Sequence, residues 1–169
     1  ISGLPSIYYQ SANRVAASMD ELRVLSAALG SVPLSTPTKE PHSKTSFFGV
    51  RWDPLNRSQR AAHYGLDMRA GWNTPVLSTA PGRVSFAGVR SGYGNTVEID
   101  HGNGFVTRYA HLNRISVRSG NKVALHDEIG KLGNSGRSTG PHIHYEVIFK
   151  GRQVDPLRFI EAGRYVFES

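Results

Sequence analysis

The chain of 169 residues contains no cysteine. Neither a disulfide framework nor a thiolate metal site is therefore possible. Any transition metal has to be held by nitrogen and oxygen donors, which means histidine and carboxylate side chains. The absence does not assign a compartment, since many exported proteins also lack cysteine.

Long apolar runs and blocks of like charge are also missing. No stretch approaches the ~20 apolar residues of a membrane span, and none resembles a signal peptide. The net charge of +7 favours an anionic partner, but the Lys and Arg residues are scattered, so a nucleic-acid-binding tail is not indicated. Because the chain begins with Ile1 and not methionine, we expect a mature or excised piece whose targeting information has been removed.

The first part of the sequence is predicted to be helical. Apolar residues recur from Pro5 to Leu29, with a capping-box pattern at Ser18–Glu21 and Gly30 as the stop. A connector rich in proline, serine and threonine follows from Ser31 to Ser46, which we expect to be a linker or an extended edge segment. We therefore divide the chain into an N-terminal helical segment with its linker, residues 1–45, and a second domain, residues 46–169.

Beyond residue 47 the pattern changes to short apolar runs separated by glycine-rich turns, which is typical of β structure. The predicted fold is mainly β, an antiparallel β-sandwich or partly open barrel. At the C-terminal end we expect no more than a helical turn at Pro156–Glu161. The predicted strands are Val76–Ser78, Gly82–Ala87, Thr96–Ile99, Phe105–His111, Lys122–Leu125 and His142–Phe149.

Two histidines separated by one residue lie in the last of these strands. In an extended segment His142 and His144 share one face, because successive side chains alternate. Two imidazoles fixed side by side on a rigid element suit a metal site. Glu146 points the same way, and we expect it to be a hydrogen-bond partner rather than a catalytic group.

Three further donors occur elsewhere in the sequence. His63 and Asp67 are four residues apart, which places them on one face of a strand as well as of a helix, and Gly65 between them disfavours a helix. His111 closes another strand pattern. Two nitrogens and one oxygen would complete a zinc site with a fourth position for water, and a site closed by all five groups could not activate water. The spacing alone does not say which histidines bind the metal.

The pattern of these residues resembles the lysostaphin/LytM-type zinc metallopeptidases, which hydrolyse peptidoglycan cross-link peptides. The resemblance covers about residues 46 to 160, and the N-terminal helical segment is not part of it. The matching motifs are His63-x-x-x-Asp67, Tyr109-Ala110-His111-Leu112 and Gly136-Arg137-Ser138-Thr139-Gly140-Pro141-His142-Ile143-His144, together with Phe48–Arg51, Thr74–Val76, Gly92–Asn95 and Val154–Pro156.

The resemblance implies roles for these residues. His63, Asp67 and His144 would be the zinc ligands, and His111 and His142 would be a catalytic pair beside the metal. It further implies a mainly antiparallel β domain with a substrate groove, peptidoglycan as the substrate, and a periplasmic or otherwise extracytoplasmic location in the cell envelope.

The sequence departs from the family pattern in two turns. Asn73 stands where the family usually has a glycine before Thr-Pro-Val, and His126 stands where a glycine commonly follows the next strand. Both are expected to change loops and not chemistry. His101 is expected at a hairpin tip, and Tyr109 either borders the site beside His111 or packs in the core.

Several alternatives remain open. The domain could be a non-catalytic or autoinhibited regulator of other wall hydrolases with a regulatory protein partner, although all five matched positions are intact. A basic polymer-binding domain with incidental histidines is a further possibility. The bond cut is either a Gly-Gly bridge or a direct link between D-Ala and a diamino acid, and we favour the direct link. The N-terminal helical segment either packs on the domain, leads into an upstream coiled coil or covers the site.

Overall fold

A computed structural model describes residues 6–40, 42–53 and 58–167 of the chain. The chain divides into two compact units, Ile1–Gly30 and Ser31–Ser169. Among the described helices, none is long and apolar enough to cross a membrane.

The first unit is one continuous helix, α1 (Ser6–Gly30). The capping-box pattern at Ser18–Glu21 therefore does not begin a helix, because the backbone is already helical on both sides of it. Gly30 ends α1 as expected. Pro5, the predicted start, lies outside the described residues.

The second unit is built from antiparallel β-sheets. Its strands are β1 (Ser43–Ser46), β2 (Gly49–Trp52), β3 (Arg60–His63), β4 (Leu66–Arg69), β5 (Pro75–Leu77), β6 (Gly82–Arg90), β7 (Gly94–Gly102), β8 (Phe105–Ile115), β9 (Lys122–Val123), β10 (Glu128–Leu132), β11 (Ile143–Phe149) and β12 (Arg152–Val154). A helix, α2 (Pro156–Phe167), closes the described chain. The prediction of a mainly β fold with antiparallel sheets and an N-terminal helix is confirmed.

Strand β11 is an interior strand of the larger sheet, between β4 and β8. Within the described residues, that sheet runs in the order β1-β4-β11-β8-β7-β6-β9, with β12 beside β11 and β10 joining β5 to β8. Strands β2 and β3 form a separate pair. The first three residues of β11 pair with β4, and its residues from His144 to Phe149 pair with β8, so residues from three strands meet at its N-terminal end.

One face of the central strands forms the hydrophobic core. Ile143, Tyr145 and Val147 of β11 alternate with His144 and Glu146, and all five are buried. This alternation is the period of two that a strand imposes. The core side chains packed with them are Leu66, Met68, Val76, Val84, Val97, Ile99, Tyr109, Leu112, Val123, Ile129, Leu132 and Ile160.

The alternation is broken once in β8. Tyr109 and Leu112 both point into the core although they are three positions apart, an odd spacing that regular alternation would place on opposite faces. The pairing with β7 shifts by one residue between Val97↔Tyr109 and Asn95↔Leu112, and His111 in between has φ 59°. An extra residue in one strand of an antiparallel pair is a β-bulge, and here it sits at His111.

The connector after α1 belongs to the second unit and is partly buried in it. Ser31, Pro33, Pro37 and Thr38 are buried, and the Leu77 N–H donates to the carbonyl of Pro37 at 2.9 Å. The end of the connector forms the edge strand β1, paired with β4. The expectation of an extended edge segment therefore holds for Ser43–Ser46, and Pro41 lies outside the described residues.

Several local predictions differ from the structure. The expected turn at Pro156–Glu161 is a full helix of 12 residues, because Ile160 and its neighbours have a core to pack on. Strands β2 to β4, β10 and β12 were not predicted, since each is only three to five residues long and contains polar as well as apolar residues. His101 does not lie at a hairpin tip; it is buried near the end of β7, hydrogen-bonded to the Pro81 carbonyl and to Thr107.

The two departures from the family pattern have a common backbone reason. Asn73 has φ 63° and His126 has φ 68°, a left-handed conformation that glycine adopts without cost. Asn tolerates this region better than most residues. His126 is partly held by a contact of 2.7 Å between its Nε2 and the hydroxyl of Ser35. Both residues lie in turns, as expected.

Candidate active site

Three side-chain donors converge at the N-terminal end of β11. His63 Nε2 lies 3.0 Å from Asp67 Oδ1 and 3.1 Å from His144 Nδ1, and His144 Nδ1 lies 2.8 Å from Asp67 Oδ1. Ligands about 2.0 Å from a tetrahedral zinc ion are roughly 3.3 Å apart. The three atoms thus form one face of a tetrahedron of nearly the right size, and the residues present fit a zinc ion.

His63 and Asp67 come from two strands and not from one. His63 ends β3, Asp67 lies in β4 beside His144 of β11, and the turn Tyr64-Gly65 joins them. His63 and Asp67 are therefore brought together by a turn between two strands, and not by lying on one face of a single strand as expected. A Cβ atom on Gly65 would lie 2.5 Å from the Tyr145 carbonyl oxygen and 2.8 Å from the His144 ring, so only glycine permits this approach.

Hydrogen bonds to the remote ring nitrogens fix which nitrogen of each histidine faces the centre. His63 Nδ1 donates to the carbonyl of Phe47 at 2.7 Å, which leaves Nε2 free. His144 Nε2 donates to Glu146 Oε1 at 3.0 Å, which leaves Nδ1 free. Such partners orient a ligand and set its tautomer before the metal arrives.

A chain of charges supports His144 from behind. Glu146 accepts from Arg108 Nη1 at 2.7 Å and from the Tyr93 hydroxyl at 2.8 Å. Arg108 Nε donates to Glu98 at 2.6 Å, and Arg90 donates to the same carboxylate at 3.1 Å. The expectation that Glu146 points with His144 and acts as its hydrogen-bond partner agrees with this geometry.

The pKa values follow from burial and from these contacts. Burial alone would raise the pKa of the Asp67 carboxyl, but hydrogen bonds to His144 and His63 outweigh it and hold the pKa well below its usual value. Burial opposes protonation of His144, yet hydrogen bonds to Asp67 and Glu146 raise its pKa. A metal binding at His144 Nδ1 therefore competes with a proton.

The bulge in β8 turns His111 toward the same place. Its side chain lines the groove with the three donors, while Tyr109 two residues earlier is in the core with its hydroxyl bonded to Thr79. The open question about Tyr109 is thus answered in favour of the core. His111 Nδ1 donates to the Ser135 carbonyl at 2.7 Å, which leaves Nε2 free. Burial lowers the pKa of His111 to about 4, so its imidazole is neutral at pH 7.

His142 faces His111 across the groove. The centroids of the two rings are 4.8 Å apart. His142 Nδ1 lies 2.8 Å from the Gly140 carbonyl and 3.1 Å from the Ser138 hydroxyl, and Nε2 lies 3.6 Å from Asp67 Oδ1. All five residues singled out in the sequence therefore meet in one site, with three donors in mutual contact and two imidazoles beside them.

The donors lie in a groove of about 410 Å³. One wall comes from the loop before β11, whose Arg137, Ser138 and Thr139 line it. A close contact holds that loop in place: a Cβ on Gly94 would lie 2.5 Å from the Ser135 backbone. The remaining lining includes Thr45, Ser46, Arg51, Asp53, Ala61, Ala62, Tyr64, Arg69, Gly92 and Tyr93.

Sequence reasoning missed the residues that support the donors from other strands. Arg51, whose Nη2 lies 3.3 Å from Asp67 Oδ2, was noted only as part of a motif, as was Tyr93. Arg108 and Glu98 were not singled out. The sequence did contain a signal for Arg108 and Glu98. Each is a charged residue within an otherwise apolar strand pattern, and a buried charge of this kind needs an ionic partner.

The family model described as "Peptidase family M23" matches residues 61–156. The chain belongs to peptidase family M23. The match begins within β3 and takes in all five residues of the site. The resemblance to lysostaphin/LytM-type metallopeptidases is thereby confirmed.

Two curated relatives are similar in sequence to this M23 domain. The DD-carboxypeptidase/endopeptidase Mpg of Neisseria meningitidis is 45% identical over 113 residues, which cover 67% of this chain and 26% of that protein. The peptidoglycan DD-endopeptidase ShyA of Vibrio cholerae is 44% identical over 98 residues, 58% of this chain and 23% of that protein. The chain thus spans about a quarter of the length of these relatives.

Two solved structures are similar in fold. A zinc-containing peptidase from Vibrio cholerae has a TM-score of 0.62 at 36% identity, over 70% of this chain and 37% of that one. The catalytic domain of lysostaphin from Staphylococcus simulans has a TM-score of 0.65 at 28% identity, over 71% of this chain and 92% of that one.

Proposed function

We propose that this chain is a zinc-dependent endopeptidase that hydrolyses amide bonds in the cross-link peptides of peptidoglycan. The observation that carries the proposal is the convergence of His63 Nε2, Asp67 Oδ1 and His144 Nδ1 within 3.1 Å of one another. Their donor set of two nitrogens and one oxygen is that of catalytic zinc sites, which keep a position for water. The relatives named as peptidoglycan DD-endopeptidase and as DD-carboxypeptidase/endopeptidase support the choice of substrate.

In the proposed site the three donors hold zinc. The chemistry that zinc supplies when bound is Lewis acidity toward water and toward a carbonyl group. Asp67 is the single anionic donor, so the centre keeps a net positive charge. Glu146 and the Phe47 carbonyl hold the two histidine rings in the required tautomers.

His111 and His142 would be the catalytic pair. Each has its Nδ1 engaged by a backbone carbonyl, Ser135 for His111 and Gly140 for His142, so each presents Nε2. A neutral imidazole can accept a proton from water, and a second one can donate a hydrogen bond to the oxyanion of the tetrahedral intermediate and pass a proton to the leaving amine. In the proposed mechanism the pair performs both steps, and neither role is assigned to one of the two residues.

The proposed location of the protein follows from its substrate. Peptidoglycan lies outside the cytoplasmic membrane, so the proposed site of action is the cell envelope, in the periplasm or otherwise extracytoplasmic. The names of the relatives favour the direct link between D-Ala and a diamino acid over a Gly-Gly bridge. We retain residues 46–169 as the peptidase domain and residues 1–45 as the N-terminal segment with its linker.

Digestion of intact peptidoglycan by the zinc-loaded protein tests the proposal, with products identified by mass spectrometry. We expect loss of cross-linked dimers that a chelator abolishes, and the product masses name the bond. A protein that holds one zinc ion per chain but releases no product would support the regulator alternative, in which the N-terminal segment or a missing partner controls the site. A protein that holds no zinc would contradict the ligand assignment.

A further inference from the structure

A cationic side chain with no ion-pair partner among the described residues lies beside the candidate catalytic pair. Arg69 lines the groove together with His142 and Asp67. It is exposed, and it makes no ion pair with any residue in the described part of the chain. The other two arginines of the groove differ in this respect, because Arg51 pairs with Asp67 at 3.3 Å and Arg137 pairs with Asp53 at 2.7 Å.

The strand register places Arg69 next to His142. Strands β4 and β11 pair His144 with Asp67 and Ile143 with Met68, and one further step along both strands sets His142 opposite Arg69. Directly opposite residues of an antiparallel pair have Cβ atoms about 5 Å apart and share a face. The face is that of His144 and Asp67, which is the groove.

The guanidinium of Arg69 reaches the backbone that holds His142. Its Nη2 lies 4.0 Å from the position that a Cβ on Gly140 would take, and the carbonyl of Gly140 is 2.8 Å from His142 Nδ1. Arg69 therefore borders the groove at the loop that precedes β11.

The charges of the groove favour an anion at this point. The carboxylates of Asp67, Glu146 and Asp53 are each already engaged by a histidine or an arginine. A bound zinc dication would add positive charge beside them. Arg69 therefore retains its full charge for a ligand, and its planar fork matches a carboxylate with two parallel hydrogen bonds.

We propose that Arg69 binds a carboxylate of the substrate next to the scissile amide and so selects cross-links that carry one there. The inference rests on the proposed function and specifies its substrate. A diamino acid that is also a dicarboxylic acid has a carboxylate on the carbon that bears the leaving amine. In lysine the carbon that bears the side-chain amine carries hydrogen in place of this carboxylate. A glycine bridge likewise has no carboxylate beside the leaving amine. The C-terminal carboxylate of a stem peptide is the second possible source.

Defined cross-linked dimers test this selection. One dimer has the carboxylate on the leaving-amine carbon free, a second has it amidated, and a third has it free but carries an amide in place of the C-terminal carboxylate of the stem. A charge-assisted hydrogen bond contributes enough that its loss costs about tenfold or more in kcat/KM. The wild type is expected to cleave one of the two altered dimers at least tenfold less well, and which one identifies the source.

Variants assign the selection to Arg69. R69Q is expected to cleave the free and altered dimers at nearly equal rates, and R69K to show an intermediate ratio because it keeps the charge but not the fork. R152Q, which removes an exposed charge from β12 outside the groove, should retain the wild-type ratio. Zinc content and thermal unfolding of each variant check that the fold is intact. If Arg69 only positioned His142, R69Q would slow all dimers by the same factor.

Binding of single stem peptides keeps the test independent of cleavage. These peptides carry the carboxylate that the dimers identify, either free or amidated, but contain no cross-link, so their Kd values can be measured by calorimetry with the zinc-loaded protein. Equal Kd values for both forms in the wild type, or an unchanged preference in R69Q, would overturn the role of Arg69. Failure to cleave any dimer, with the Kd difference present, would instead contradict the proposed endopeptidase activity.

Discussion

Two hydrogen-bond chains run across opposite faces of the same strands, and they differ in charge. On the groove face, His144 of β11 is followed by Glu146, then Arg108 of β8, then Glu98 of β7. On the core face a second chain follows the same route from β11 through β8 to β7. Its members are Tyr145, Thr79, Tyr109, Thr107 and His101.

The two faces differ in whether they provide opposite charges that can stabilise a buried charge. Glu146 and Tyr145 are neighbours and both are fully buried. A buried charge is tolerated only where opposite charges and hydrogen bonds meet it, and the groove face provides Arg108 and a site for a cation. The core face provides neither, so its chain is made of hydroxyl groups and a histidine whose pKa burial lowers. The same depth of burial thus supports chemistry on one face and stability on the other.

We expect the largest effect from replacing His144, the first residue of the charged chain. In H144A one of three donors is lost, so we expect the protein to hold less than one zinc ion per chain and its activity to fall to background. Metal analysis after dialysis and the peptidoglycan assay measure both. H42A, at an exposed histidine outside the groove, is the matched control and should keep zinc and activity. Full zinc occupancy in H144A would remove His144 from the ligand set.

Replacing the carboxylate behind His144 should have the next largest effect. E146Q keeps the shape but removes the charge that accepts from His144 Nε2 and Arg108. Loss of such a partner lowers metal affinity about 10–100-fold. Competition titration with a chromophoric chelator measures the Kd. E128Q, at a carboxylate that pairs with Lys131 on the surface, should leave the Kd unchanged, and an unchanged Kd in E146Q would show that the charged chain does not act on the metal site.

The neighbouring residue on the core face should affect stability alone. Y145F removes a hydroxyl that is 2.9 Å from Thr79 Oγ1, which lowers the free energy of unfolding by about 1 kcal/mol. Denaturant unfolding measures this change, and the Kd for zinc should not move. Y165F, at an exposed tyrosine of α2, is expected to stay within about 0.5 kcal/mol of the wild type. A large loss of zinc affinity in Y145F would mean that the two faces are not independent.

We expect the smallest effect at His101, the last residue of the neutral chain, on the pH dependence of the free energy of unfolding. Burial lowers the pKa of His101 below its ordinary value of 6.5, so the unfolded state binds the proton more readily than the folded state. The stability that neutral His101 contributes is therefore present above about pH 6.5 and is lost as pH falls through the folded pKa. The free energy of unfolding of the wild type should exceed that of H101Q at pH 8, and the gap should narrow toward pH 5. A gap that widens on acidification would contradict this sign.

Sequence reasoning predicted the residues of the site but not how the backbone brings them together. The resemblance to a known family pointed to His63, Asp67 and His144, and the structure places these three in mutual contact. Period-two alternation correctly put His144 and Glu146 on one face. It failed for Tyr109 and His111, because alternation assumes a regular strand and a bulge adds a residue that no local propensity reveals.

Partners that lie far apart in sequence were equally hidden. Arg108 joins Glu98 to Glu146 only because β8 lies between β7 and β11 in the sheet, and strand order does not follow from a single sequence. Short edge strands such as β2 and β12 were missed because three or four residues carry too little pattern. The extent of α2 was missed because its packing against the sheet, not its own sequence, stabilises it.

The bulge at His111 has a consequence for anyone who transfers this site to another protein. A designer who copied the five side chains onto a regular antiparallel sheet would place the imidazole of His111 on the opposite face, inside the core of the host protein. The graft has to include the extra residue, the left-handed backbone of residue 111 and the Tyr93 carbonyl that accepts its N–H at 2.9 Å. Deleting one residue from β8 in the natural chain would have the converse result, because the three donors would stay together while the His111 imidazole no longer faced the groove.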